Sequence, residues 1–355
     1  MGISKRYSRQ IELTDISITG QQKLQKAKIL VIGAGGLGCP VLQILVASGV
    51  GTVGIVDGDL VDETNLHRQL LYTPDDCGKY KVDVAKAVLY KLNPEVQIDI
   101  YPLFIDENTI ATIAKDYEIL VDCTDNIAVR YLINDISLYY DKPMVYASIH
   151  KFEGQISVFN YQEGPSYRCL FPEKEGQNIP NCVTTGVLGV VPNTLGMMQA
   201  NEVIKIILGL GEVASGKLIV YNALTLSLQA IELMKNEKQI NIGIINGGHL
   251  ANCNKTANSG IDKNTFFQLC SLGHHTIIDL REKHETPKLD IKDVVYVPFS
   301  ELENHDLAFE KNHPLILVCQ SGIRSQKALE YLLNLGFSNV VHLHRGVQSL
   351  HLHNI

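Results

Sequence analysis

Several features are missing from this sequence, and each absence excludes a class of protein. No apolar run reaches the roughly 20 residues that a membrane-spanning helix needs. The two most apolar stretches, residues 37–56 and 186–211, are broken by Gly, Pro, Gln, Asn and Glu. No apolar run follows Met1, so no secretory signal peptide is expected. There is no basic surplus: Lys and Arg number 31 against 38 Asp and Glu, a net charge of -7. That excludes a polybasic nucleic-acid or membrane-surface binder. The cysteines are not clustered. Cys39, Cys77, Cys123, Cys169, Cys182, Cys253, Cys270 and Cys319 are scattered through 355 residues. A short disulfide-stapled framework is therefore excluded. A reducing cytoplasm is the expected compartment, with each cysteine a free thiol or a ligand. Internal repeats and low-complexity tracts are absent too.

What is present is an ordinary globular balance, 45% apolar and 19% charged, in a chain long enough for two or three domains. A polar helical lead-in is expected over residues 1–25. Strands are expected over 28–33, 52–57, 98–104 and 119–123, with helices over 37–48 and 79–92 between them. Further strands fall at 155–160 and 217–221, and a long helix begins near Asn193. Strands alternating with helices predict a doubly wound, mostly parallel α/β sheet. Periodicity fades where Asn, Lys, Gly and Ser dominate. A second, smaller α/β pattern then begins near Ile261, with strands at 276–280, 294–297, 315–319 and 340–343. The expected organisation is one domain over 1–236, a linker over 237–260 and a second domain over 261–355.

The first strand enters a glycine-rich turn, Gly33-Ala-Gly35-Gly36-Leu-Gly38, that opens a helix. Such a turn lets backbone approach phosphates, and the helix start offers unpaired N–H groups. Asp57, at the end of the next strand, can hold ribose hydroxyls. To this point an NAD site and an ATP site are equally supported. Downstream stand Asp57-Gly-Asp59, then Asn65-Leu-His-Arg68-Gln69, then Lys81. Arg68 and Lys81 are cations that a dinucleotide does not require and a triphosphate does. Asp122-Cys-Thr-Asp125-Asn126 closes the fourth strand with carboxylates. Asp125 can serve Mg²⁺, while Asp122 reads equally well as a structural strand-end acid.

Together with Arg6-Tyr-Ser-Arg9-Gln and Gly186-Val-Leu-Gly, these segments resemble the MoeB/ThiF family, relatives of the ubiquitin-activating enzymes, over about residues 5–234. The Asn65-Leu-x-Arg68-Gln69 box is the most specific piece. The resemblance implies ATP bound by Gly33, Gly35, Gly36 and Gly38. Asp57 would lie on the ribose, Asn65, Arg68 and Lys81 on the phosphates, and Asp125 on the magnesium ion, with Asp59, Gln69 and Asn126 also among the cofactor-binding residues. It implies that Arg9 reaches the ATP of a neighbouring subunit, hence a homodimer. The implied reaction is adenylation of the C-terminal glycine of a small ubiquitin-like sulfur carrier ending in Gly-Gly. The family also has a cysteine in the loop where Cys182 stands, capable of covalent linkage to the carrier. Cys39 reads instead as helix packing. Family members often carry two Cys-x-x-Cys pairs that hold zinc. Here the first reads Ser166-Tyr-Arg-Cys169, and the second offers only Cys253, with His249 nearby. Loss of zinc, with hydrophobic packing in its place, is the expected outcome.

Near the other end, Leu315-Ile-Leu-Val-Cys319-Gln-Ser-Gly322-Ile-Arg324-Ser325 runs from a buried strand into a helix. A cysteine at this junction lies beneath loop N–H groups and a helix dipole, and Arg324 adds positive charge. Each favours a thiolate or a persulfide anion. With Ile278-Asp279-Leu-Arg281 before it and His344-Arg345-Gly346-Val after it, this stretch resembles the rhodanese fold over about residues 261–355. That implies a transferable sulfur on Cys319, with a cysteine desulfurase as donor. Asp279 and Arg281 read as fold support. Gln348-Ser-Leu stands where the family often has an aromatic residue. His342, His344, His351 and His353 read as a solvated tail.

The two resemblances predict an adenylyltransferase joined to a sulfurtransferase that yields a carrier thiocarboxylate. Molybdopterin, thiamin and tRNA thiolation all remain open as destinations. The rival reading is an NAD(P)-binding oxidoreductase-like module fused to an independent sulfurtransferase. Asn65–Gln69 and Lys81 argue against it, as does the lack of a hydride-site domain.

Overall fold

The computed structural model describes residues 5–172, 186–257, 260–272, 275–286, 289, 291, 294–304, 309–337 and 339–350, with backbone alone at 252–257, 264, 272 and 303–304. The chain divides into two compact units, Met1–Ala251 and Asn252–Ile355.

The first unit begins with helices α1 (Ser8–Ile11) and α2 (Ser17–Lys26), then β1 (Lys28–Ile32), α3 (Gly38–Ala47) and β2 (Thr52–Val56). It continues with α4 (Lys81–Leu92), β3 (Gln97–Tyr101), α5 (Ile110–Ala114), β4 (Ile119–Asp122), α6 (Ile127–Tyr139), β5 (Met144–His150) and β6 (Glu153–Phe159). After α7 (Tyr167–Leu170) come α8 (Val190–Leu208), β7 (Lys217–Asn222), β8 (Ser227–Glu232) and α9 (Glu237–Ala257). The strands form one sheet in the order β3-β2-β1-β4-β5-β6-β7-β8. From β3 to β5 neighbours are parallel; from β5 onward they are antiparallel.

β1 shows why this sheet must be covered on both faces. Its side chains alternate with period two. Ile29 and Val31 join one core, with Val41, Leu45 and Val203 of α3 and α8, while Leu30 and Ile32 join the other, with Ile110 and Ile133 of α5 and α6. The chain leaves β1 toward β2 and β3, then returns to β4 on the opposite side. That reversal opens a crevice above the strand ends of β1 and β4, where ligands bind in this architecture.

The second unit holds β9 (Gly260–Ile261), α10 (Lys263–Leu272), β10 (Thr276–Asp279), β11 (Val294–Tyr296), β12 (Leu315–Val318), α11 (Ile323–Asn334) and β13 (Val340–Leu343). Its sheet is wholly parallel, in the order β11-β10-β12-β13-β9. Again alternate residues serve two cores, Ile278 and Leu317 with Leu329, and Ile277 and Ile316 with Phe266.

Two parts of the sequence reading are corrected. It has no strand at β5 or β8. β8 pairs with β7 alone and is largely exposed, with Gln, Ala and Glu among its residues, so its ladder rather than its composition makes it a strand. The segment expected as a linker, 237–260, is mostly helix. Gly243 and Gly247 obscure its pattern, yet they are what lets α9 lie on α6. A Cβ at Gly247 would stand 2.2 Å from Asp135 O, and one at Gly243 2.4 Å from Leu138 Cδ1. Ile240 and Leu250 of α9 are buried. Among the described residues no helix is long and apolar enough to cross a membrane.

Candidate functional site

In the first unit a cavity of about 630 Å³ lies at the topological switch point. The C-terminal ends of β1, β2, β4 and β5 feed it through Gly33, Asp57, Asp125 and Lys151. Gly33 has φ +100°, and a Cβ there would sit 2.6 Å from Cys123 O, so no other residue fits this turn. Gly35 and Gly36 also line the cavity; Gly38 opens α3 behind it.

Asp57 is tied to this turn. Its Oδ2 accepts from Ala34 N at 2.7 Å and its Oδ1 from Asp59 N at 2.8 Å. Burial pushes its carboxyl upward, opposed by the nearby Lys81 charge. Lys81 is buried, and its Nζ lies 2.7 Å from Asp59 Oδ2, a carboxylate half open to solvent. Arg68 donates to Asn65 Oδ1 and, at 3.1 Å, to Thr64 O. The Arg68 carbonyl accepts from Asn193 Nδ2 at 3.0 Å, and the same amide donates to Gly189 O at 2.8 Å. The first turn of α8 thus anchors the backbone that carries Arg68. Gln69 lines the cavity with a buried Oε1 that has no hydrogen-bond partner.

On the opposite wall Asp125 is exposed to the cavity. Asn126 also lines it, but its Oδ1 caps α6 by accepting from Ala128 N and Val129 N at 2.9 and 3.3 Å. Asp122 faces inward, fully buried. It accepts from Thr124 N and Oγ1 at 3.0 and 2.7 Å, and its Oδ2 lies 3.4 Å from Arg130 Nε. Burial pushes the Asp122 carboxyl up, and Arg130 opposes that shift. Arg130 donates to Thr124 O at 2.7 Å and to Ser148 Oγ at 3.4 Å, so it braces the loop that presents Asp125. Sequence reasoning misses Arg130, Ser148, Lys151 and Asn193. Arg130 alone carries a local signal, one helical turn beyond Asn126.

Other predicted residues lie apart. Arg9 is exposed and pairs with Glu12 at 2.8 Å, away from this cavity. Cys182 lies outside the described residues. Cys39 is buried in α3, which pushes its thiol up to about 12. Where the first zinc-binding pair of the family would stand, Cys169 Sγ accepts from Ser166 N and Asn236 N, both at 3.3 Å. Next to it Arg168 Nε is 2.6 Å from Asp135 Oδ1 in a buried ion pair. Hydrophobic packing accompanies these polar bonds, with Tyr167 and Leu250 buried in one core against Leu170 and Phe171. His249 is exposed, and the Cys253 side chain lies outside the described residues.

In the second unit Cys319 follows β12 and is buried. Its Sγ accepts from Gly322 N and Ser325 N, each at 3.2 Å, at the start of α11, and lies 3.4 Å from Ser325 Oγ. Ser325 Oγ also meets His342 Nδ1 at 3.3 Å. His342, expected in a solvated tail, is a buried β13 residue. Burial lowers it to about 4, with His344 adding to the shift. His344 is exposed, and His351 and His353 lie outside the described residues. Arg324 donates through both terminal nitrogens to Glu285, each at 2.6 Å. Asp279 and Arg281 form a buried pair at 2.7 Å at the end of β10.

Comparison with known proteins agrees with this two-part layout. The ThiF family model matches residues 7–242, and the rhodanese-like domain model matches residues 265–353. The adenylyltransferase and sulfurtransferase UBA4 of Meyerozyma guilliermondii is 36% identical over 377 residues, covering 97% of this chain and 87% of that protein. The probable adenylyltransferase/sulfurtransferase MoeZ of Mycobacterium tuberculosis is 35% identical over 358 residues, covering 96% and 91%. The sulfur carrier protein adenylyltransferase of Thermus thermophilus is 42% identical over 239 residues, covering 66% and 88%. Among solved structures, E. coli MccB with ATP superposes with a TM-score of 0.59 at 25% identity, over 66% of this chain and 73% of that one. The chain belongs to the ThiF family and continues into a rhodanese-like domain.

Proposed function

We propose that this chain adenylates the C-terminal glycine of a ubiquitin-like sulfur carrier in the switch-point cavity, and that sulfur carried on Cys319 converts the adenylate to a thiocarboxylate. One observation supports the reading most strongly. A glycine-turn cavity lined by Arg68, Lys81 and Asp125 occurs in the same chain as a thiol held under two helix-start N–H groups.

The cavity suits ATP. The Gly33 turn admits no side chain, the buried Gln69 Oε1 lacks a partner, and Arg68 and Lys81 line the cavity where they could meet phosphates. Asp125 would hold Mg²⁺, which when bound offsets phosphate charge. The carrier carboxylate attacks the α-phosphorus and pyrophosphate leaves. Asp57 orients the ribose end, and Arg68 and Lys81 stabilise the charge that develops. No side chain need move a proton in this step.

The Cys319 persulfide then attacks the acyl carbon, AMP leaves, and an acyl disulfide remains. Cys182 thiolate attacks the Cys319 sulfur of that disulfide. This releases the thiocarboxylate and leaves a Cys182–Cys319 disulfide for a cellular thiol to reduce. A cysteine desulfurase supplies the persulfide. Arg9, exposed on α1, serves the nucleotide of a second subunit in a homodimer. β8 is the last strand of its sheet; Leu228 and Ile231 stand exposed along it, and Leu226 in the turn just before it. Such an edge suits a folded protein substrate.

The test is ATP–pyrophosphate exchange with Mg²⁺, with and without a carrier ending in Gly-Gly. Carrier-dependent exchange is expected. Cys319→Ala should keep that exchange and lose thiocarboxylate formation. Absence of exchange with every such carrier, or an undiminished thiocarboxylate yield from Cys319→Ala, rejects the corresponding half of the scheme.

A further inference from the structure

Arg324, the cation of the Cys319 loop, is already engaged. Its Nη1 donates to Glu285 Oε2 and its Nη2 to Glu285 Oε1, each at 2.6 Å, so fork meets fork. Glu285 stands 39 residues earlier in the chain and is itself fixed, its Oε2 accepting from Glu282 N at 2.7 Å. Both partners are largely sheltered, with side chains 28% and 19% exposed. The Arg324 hydrogen bonds pull the Glu285 carboxyl down to about 2, so it is ionised at any physiological pH. A second carboxylate, Glu282, lies beside it and is bonded to Ser300 Oγ at 3.1 Å. Lys283 is occupied by Glu301 at 3.0 Å. The Cys319 sulfur receives its own N–H donors from uncharged backbone.

We propose that Glu285 is a specificity residue: by holding Arg324 it denies small sulfur-bearing dianions a binding cation and reserves Cys319 for a persulfide borne on another protein. The inference rests on the reading of Cys319 as the sulfur carrier. The two donor classes differ in what they require. Thiosulfate is a dianion with little apolar surface, and its binding depends on an unpaired cation. Here it must displace a resident carboxylate from Arg324 while approaching Glu282. A protein persulfide binds through protein surface and presents only its outer sulfur, so it needs no such cation. Its transfer balances without an oxidant. Cys319 thiolate attacks the outer sulfur of R–S–SH, a new S–S bond forms, the old one breaks, and R–S⁻ departs, leaving Cys319–S–SH.

Steady-state transfer of sulfur from thiosulfate to cyanide by the full chain tests this. Glu285→Gln should lower the thiosulfate KM by about tenfold or more, the scale of one charge-assisted hydrogen bond regained. The gain should lie in KM rather than kcat. Adding Arg324→Gln to that variant should return the KM to the wild-type value, which a general loosening of the loop would not do. Glu285→Asp, which withdraws the carboxylate by one methylene, gives the same direction at smaller amplitude if the amide variant does not fold. An unchanged thiosulfate KM in folded Glu285→Gln, or a gain that survives loss of Arg324, overturns the proposal. The Cys319→Ala chain separates this from the underlying reading: if it still turns over thiosulfate, Cys319 is not the sulfur-bearing residue at all.

Discussion

Single residues at the two sites differ in how far their partners lie along the chain, and that distance governs what could be read from sequence. Gly33, Asp57 and Cys319 each sit where a strand ends and a turn begins, so each carries a local sequence pattern. Asn193 reaches the Arg68 carbonyl across 125 residues, and Glu285 reaches Arg324 across 39; neither pairing leaves a local pattern. His342 was misread for a related reason, because a histidine near a chain end carries no mark of burial until β13 is placed beside β12. Two predictions belong here. Lys81→Met should leave the fold intact, since its partner Asp59 is half in water, yet slow carrier-dependent pyrophosphate exchange by about 10²–10³-fold, as loss of one preorganised donor does. His342 is held near 4 when folded against about 6.5 when unfolded, so between those values the unfolded chain binds more protons. Its contribution is therefore complete above about pH 6.5 and declines as pH falls toward 4, by on the order of 3 kcal/mol in total. The urea midpoint of the rhodanese-like unit should fall between pH 7 and 5 in the wild type and fall less in His342→Gln.

At the level of elements, the buried parallel strands were legible because each is a short run of Val, Ile and Leu closed by a turn. Helix α9 was not, because its glycines replace apolar periodicity with close backbone approach. The structure predicts opposite effects from two adjacent substitutions. Gly247→Ala places a methyl against Asp135 O and should lower stability by about 1–3 kcal/mol, the usual range for overpacking. Gly248→Ala meets only the Tyr139 ring, at 3.4 Å and beyond, and should raise stability by about 0.5–1 kcal/mol through helix propensity. Thermal or urea unfolding of the two variants decides the matter; equal effects would mean that α9 does not dock on α6 as described.

Across the whole molecule, the division into an adenylating part and a sulfur-transferring part was plain from motif order, and the boundary between the compact units, after Ala251, falls inside the 237–260 stretch, although a helix rather than a linker occupies it. A chain ended after Ala257 should therefore retain carrier-dependent pyrophosphate exchange and lose thiocarboxylate formation. One ended after Asn236 uncovers α6 beside the Arg168–Asp135 pair and should melt at lower temperature or fail to accumulate. Recovery of a fully stable, active protein from the shorter chain would place α9 outside the catalytic unit. The overall charge of -7 gives no long-range attraction for a polyanion, so the cavity depends on its own few cations, and one of them, Lys81, is already paired with Asp59. A phosphate that takes Lys81 must take it from Asp59, and on leaving hands it back. On the proposed reading, binding would be an exchange of partners rather than the capture of a bare charge, which would weaken retention of spent nucleotide and favour a site that empties once in every catalytic cycle.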